Sequence, residues 1–179
     1  MKTTVGKTKV ELANGDITQL EVDALVAPSS TELWMDHGVA AAIKRAGGEA
    51  VEKEAVLQGP VALGEAVVTT GHDLKARWVI HVALTDGSTP SADASAVTAA
   101  VRASLVAAER AHARSVALPA FGTGACHFPL YQCSSLMVTE IVSYLKEHPR
   151  TPLRHIMLSV HDDAARAAFT NALAGVSRL

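Results

Sequence analysis

Aromatic side chains are scarce in this sequence: Phe, Trp and Tyr together make up 4% of its 179 residues. Any core must therefore be aliphatic and rich in alanine. Cysteine is scarcer still. Cys126 and Cys133 are the only two, too few and too widely spaced for a disulfide framework or a four-thiolate zinc site. Basic runs are missing as well. Lys and Arg number 16 against 18 Asp and Glu, for a net charge of -2. No segment gathers Lys and Arg into a stripe, which excludes an extended nucleic-acid surface. A small anionic ligand stays open, since it needs only a few aimed backbone N–H groups. No apolar run reaches membrane-spanning length, and Met1 to Val10 alternates polar and apolar residues without the apolar centre of a signal peptide. The expectation is no membrane association and a reduced, cytoplasmic setting.

What is present suits a compact chain: 49% hydrophobic and 19% charged residues. The length fits one domain over residues 1–179, able to bury about 70% of the surface its unfolded form exposes. Apolar runs of strand length fall at Lys7–Leu12, Asp23–Ala27, Glu65–Thr70, Trp78–Ala83, Ser115–Ala120 and His155–Val160. Helical stretches fall at Val39–Ala46, Glu49–Gln58, Ala92–His112, Leu130–His148 and Asp163–Leu173. In the longest, Val97, Val101, Ser104, Leu105 and Ala108 share one face. The strand and helix alternation of the later half predicts a largely parallel sheet covered on both sides. The turn at Gly71-His72-Asp73 predicts an antiparallel or mixed pairing in the earlier half. Asp86 to Pro90 reads as a surface loop. His81, alone in an apolar strand, reads as a hydrogen-bonded core residue, and Cys133, in register with Leu130, Met137 and Ile141, as buried packing.

Ligands of open α/β sheets bind outside the carboxyl ends of the strands, so the informative segments leave a strand and enter a helix. One runs from Ala27-Pro28-Ser29-Ser30 to Asp36-His37-Gly38-Val39. Another, Phe121 to Pro129, carries Gly122 and Gly124, whose missing side chains allow close approach to an anion at a helix entrance; a tight chain reversal would use the same glycines. It matches neither the Walker pattern nor the dinucleotide fingerprint. A third, Gly15-Asp16-Ile17-Thr18, holds a short acceptor, either a turn or capping residue or a partner for an exocyclic amine.

Together, GDIT at Gly15 to Thr18, VDALV at Val22 to Val26, HGVAAAI at His37 to Ile43, VIHVA at Val79 to Ala83 and LPAFGTGACHFP at Leu118 to Pro129 resemble the macrodomain family. The likeness runs in register from about Val10 to Leu173. It implies a three-layer α/β/α sandwich with a mixed, largely parallel sheet and a crevice for ADP-ribose or a related nucleotide, free or on an ADP-ribosylated protein. By motif, Asp16 holds the adenine amino group and the backbone of Ile17 reads the ring. Gly38 and Val39, with the loop Gly122, Thr123, Gly124, Ala125 and Cys126, flank the diphosphate and distal ribose. His161 stands where relatives carry an aromatic ring, and it reads equally as a stacking group or an exposed residue before the helix cap Asp162. No cofactor and no metal are implied.

The departures are as informative. Ser30 stands where many relatives have the Asn that orients the distal ribose, and a hydroxyl lacks the amide's paired donor and acceptor. Ala40 replaces the acid of one hydrolase subgroup, leaving Asp36 as the nearest carboxylate. Cys126-His127 replaces an aromatic residue and Gly, and with His37 it adds titratable groups. A zinc site or a Cys–His nucleophile is conceivable there, yet the reading favoured is exposed histidines beside a packing cysteine. Three functions are compatible, in this order: an ADP-ribose-binding module; a hydrolase of an ADP-ribosyl, ester or phosphate bond using substrate-assisted water attack; and a degenerate macrodomain for another nucleotide or a protein partner.

Overall fold

The computed structural model describes residues 1–87, 92–123 and 127–176. Their elements run β1 (Lys2–Val5), β2 (Thr8–Asn14), a 3-10 turn (Ile17–Gln19), β3 (Ala24–Ser30), α1 (Gly38–Gly47), α2 (Glu49–Val56), β4 (Ala66–Thr70), β5 (Trp78–Thr85), α3 (Ala94–Arg110), β6 (Ser115–Pro119), α4 (Leu130–Glu147), β7 (His155–Val160) and α5 (Asp163–Val176). The sheet has seven strands in the order β1-β2-β7-β6-β3-β5-β4. Its central five are mutually parallel, while β1 and β4 run antiparallel at the edges. The mixed, largely parallel sheet expected from the sequence is therefore present. So is the antiparallel pair joined through Gly71 to Asp73.

One strand was not anticipated. β1 has a single buried residue, Val5, so its share of the amino-terminal alternation merges into that of β2. Lys7, expected to open a strand, lies in the turn between the two, and β2 continues to Asn14.

Alternation along β3 shows how one strand serves two layers. Ala24 and Val26 join the core beneath α3, α4 and α5. Leu25 and Ala27 join a smaller core with Ile43 of α1 and Val51 of α2. On α3 the expected stripe Val97, Val101, Ser104, Leu105 and Ala108 is buried. The Ser104 hydroxyl is satisfied by Ala100 O at 2.7 Å, and the Asp93 side chain caps the helix through Ala96 N at 2.7 Å. Cys133 is fully buried and donates to Phe121 O at 3.1 Å; burial pushes its thiol up to about 12.

On the outer face of the larger layer, Arg102 reaches Glu140 at 2.6 Å and Glu147 through two nitrogens at 2.9 and 3.1 Å. In the smaller layer, α2 guards the β4 edge. Glu54 accepts from Thr70 N at 2.7 Å, and Gln58, in the turn just past the helix, donates to Val68 O at 3.0 Å.

His81 is buried in β5, with Nε2 2.9 Å from the Thr69 hydroxyl. That hydroxyl donates to Thr70 O, so it accepts from Nε2, and Nδ1 is left without a proton. Among the described residues Nδ1 is the one buried side-chain polar atom with no partner. Desolvation pushes this imidazole down to about 4. No described helix is long and apolar enough to cross a membrane.

Candidate functional site

Because β2, β7, β6, β3 and β5 run the same way, the segments singled out above emerge along one rim of the sheet. From the neighbouring strands β3 and β6 the chain turns to opposite faces, toward α1 on one side and α4 on the other. A divergence of this kind opens a crevice between the departing loops.

At the β2 end, Gly15 N is tied to Val160 O of β7 at 3.2 Å. Asp16 follows, exposed, and caps the 3-10 turn. Its Oδ1 accepts from both Thr18 N at 2.9 Å and Thr18 Oγ1 at 2.8 Å. The capping role considered for this residue is thus real, and it uses a single oxygen. Among the described residues Oδ2 accepts no hydrogen bond. The carboxyl is held below its usual range by the Thr18 hydroxyl first, then by Thr18 N–H, with His161 and Arg45 adding charge attraction. Ile17, beside it, is buried in the smaller core.

His161 leaves β7 directly and is exposed. Gly15 is bonded to Val160, so Asp16 and His161, the residues that follow them, share one end of the rim. Asp162 caps α5, with Oδ1 accepting from Ala165 N at 2.7 Å. Arg45, near the end of α1, adds its charge attraction to the same carboxylate and was missed in the sequence. It falls two turns after Gly38, outside every motif.

At the β3 end the strand is irregular between Ser29 and Ser30. Ser30 O accepts from Leu33 N at 3.0 Å, and Ser29 Oγ donates to Trp34 O at 3.1 Å. The loop then alternates: Leu33 and Met35 are buried, while Trp34, Asp36 and His37 are exposed. His37 occupies the cap position of α1 without a side-chain cap bond. Gly38 has φ +54°, a conformation that favours glycine, and half-buried Val39 follows it.

At the β6 end, Gly122 is buried with φ +72°. A Cβ there would lie 3.2 Å from that of Phe128 and 3.3 Å from that of Ala92. Close approach at Gly122 is thus to the protein's own packing. Gly122 O accepts from Phe128 N at 2.7 Å and closes the loop. Thr123 is half-buried and His127 exposed. Gly124, Ala125 and Cys126 lie outside the described residues. Pro129 occupies the cap of α4, and its carbonyl accepts from Cys133 N at 2.9 Å.

Between this loop and the turn from β7 to α5 lies a cavity of about 460 Å³, lined by Thr123, His127, Phe128, Leu130, Asp162, Ala164 and Ala165. The first turns of α4 and α5 both open on it, and helix N-termini carry partial positive charge. Of these, Thr123 was assigned to the site from the sequence; Asp162 reads there as a cap, and Ala164 and Ala165 were not singled out.

The family model described as Macro domain matches residues 26–137. A Mycobacterium tuberculosis protein described as uncharacterized is 40% identical over 169 residues, 94% of this chain and 46% of that protein. The chain thus spans less than half the length of this relative. An Aquifex aeolicus protein, also described as uncharacterized, is 32% identical over 158 residues, 88% of this chain and 94% of the relative. Among solved structures, a mutant Oceanobacillus iheyensis macrodomain with ADPR aligns with TM-score 0.86 at 18% identity, covering 100% of this chain and 99% of that one. The Trypanosoma brucei macrodomain in complex with ADP-ribose aligns with TM-score 0.84 at 23% identity, covering 92% and 68%.

Proposed function

Because this chain belongs to the macro domain family, we propose that the crevice at the carboxyl ends of its strands binds ADP-ribose or a close derivative, free or carried on a protein. The observation that carries the reading is Asp16. One oxygen is committed to Thr18, and the other is available to an exocyclic amine, on the same rim as the cavity that the α4 and α5 N-termini face. Adenine then sits by Asp16 and Ile17, with His161 and Arg45 alongside. Asp162 offers its second carboxylate oxygen to a ribose hydroxyl, while the loop that begins at Gly122 and Thr123, together with Gly38 and Val39, flanks the diphosphate. Ser30 and His37 border the distal ribose. The reading takes residues 1–179 as one macro domain working in the cytoplasm.

Binding stands ahead of hydrolysis on one observation. Ala40, where a hydrolase subgroup carries an acid, is buried in the smaller core and has no group to activate water. Removal of ADP-ribose from acidic side chains is expected to be slow or absent. Several turnovers per minute on a modified protein would reverse that ranking and turn attention to Asp36 and His37.

Calorimetric titration with ADP-ribose, AMP and NAD tests the binding itself. ADP-ribose is expected to bind more tightly than AMP, because AMP lacks the distal ribose. Absence of heat with all three at millimolar ligand defeats the nucleotide reading and leaves a protein partner.

A further inference from the structure

Glu52 is a carboxylate in an unusual place: on α2, 8% exposed, and engaged at both oxygens. Its Oε2 accepts from the backbone N–H of Met35 at 2.7 Å. Its Oε1 accepts from Lys44 Nζ of α1 at 2.9 Å. One side chain therefore ties together the loop from β3, the helix that follows that loop, and the helix after it. Burial opposes the charge, but the Lys44 ammonium and the Met35 N–H outweigh it, and the carboxyl is held below its usual range.

What it holds needs holding. Leu33, a non-glycine residue, has φ +67° and is fully buried, a conformation that persists only where the surroundings impose it. Met35 is 1% exposed, so its N–H has no access to water and needs a protein acceptor. Directly after it come Asp36, His37 and Gly38, where the chain enters α1.

We propose that Glu52 is a positioning residue for the crevice, fixing the Leu33 to Gly38 segment so that the start of α1 meets the diphosphate and distal ribose. This rests on the ADP-ribose reading above for its ligand, though not for the clamp itself. Glu52 touches no ligand. It acts through Met35 and Lys44, so its removal should affect the distal half of ADP-ribose and spare the adenosine half at Asp16.

The test compares Glu52→Leu, Glu52→Gln and Lys44→Met with the parent chain. Hydrogen exchange of the unliganded protein reads the clamp, and calorimetry with ADP-ribose and AMP reads its consequence. In Glu52→Leu the amides of residues 34–38 are expected to exchange at least tenfold faster. ADP-ribose affinity should fall at least tenfold while AMP affinity stays within twofold. Glu52→Gln, which keeps an acceptor for Met35 N–H, should recover most of the ADP-ribose affinity. If Glu52→Leu does not fold, the Gln and Met variants carry the same comparison with smaller changes of the same sign. Equal losses for ADP-ribose and AMP, or unchanged exchange at 34–38, overturn the proposal. If the parent chain binds neither nucleotide, the ligand reading fails, and exchange alone decides the clamp: acceleration confined to 34–38 upholds it, and none refutes it.

Discussion

The two layers flanking the sheet are built differently. Beneath α3, α4 and α5 lies a broad core of Val, Leu, Ile and Ala with Phe121, Phe169 and Met137, and its ionic pairs sit on the outside, around Arg102. Beneath α1 and α2 the core is smaller, and polar groups lie within the layer: His81, Thr69 and Glu52 are all buried. The left-handed Leu33 lies in the loop that leads into this layer. The difference teaches a division of labour. In the thick layer the buried serines of α3 and α4 bond within their own helices, whereas in the thin layer a buried side chain bonds across elements and shapes the loop entering α1.

Four measurements bear on that contrast. The largest effect is expected in the thick layer. Phe169→Ala, at a fully buried ring, should cost about 3–5 kcal/mol in denaturant unfolding. The nucleotide affinity of the folded fraction should hardly move; a small stability loss with a large affinity loss would erase the distinction.

Next comes acid, which should act through the thin layer. His81 titrates at about 4 when folded against an ordinary 6.5. Below pH 6.5 the unfolded chain takes up a proton that the folded chain refuses. Its contribution is therefore complete above that pH and drains away as pH falls toward 4, amounting to about 3 kcal/mol. Urea midpoints followed across that range should decline in the parent chain and decline less in His81→Leu. Parallel curves would mean the imidazole is not the titrating group.

The third is at the crevice. Asp16→Ala should weaken ADP-ribose binding by about 1–3 kcal/mol, the usual cost of leaving a polar partner unsatisfied. An unchanged dissociation constant removes Asp16 from the site.

The smallest belongs to the surface of the thick layer. The Arg102 side chain is 39% exposed, so solvent screens its pairs, and Arg102→Ala should cost about 1 kcal/mol or less. The cost should shrink further in high salt. A loss as large as that of Phe169→Ala would make this network part of the core rather than its trim.

The contrast also governs what could be read in the sequence. Periodicity marked the thick layer well. The α3 stripe and the Cys133, Met137, Ile141 face were visible because aliphatic side chains at helical spacing have one sensible destination. The five parallel strands were visible for the same reason. β1 was not, since an edge strand with one buried residue leaves little pattern. At the site, Asp16, Ser30, His37 and His161 could be placed by motif at the strand ends. Arg45 and Glu52 could not, because both act across elements. A buried glutamate on a helix as charged as α2 looks like its solvated neighbours until the loop it meets is known. Gly122 was marked as a position of close approach to an anion. The packing of Phe128 and Ala92 against it accounts for that closeness by itself.

The guard on the β4 edge has a consequence of another kind. A sheet edge with open N–H and C=O groups is a template on which a second chain can lay a strand. Here Thr70 N and Val68 O are already engaged by the half-buried Glu54 of α2 and by Gln58, exposed in the turn after that helix. Both bonds are partly open to water and add little to folding, yet they occupy the sites where a foreign strand would attach. Their worth lies in solubility at high protein concentration, which a melting curve on dilute protein does not register.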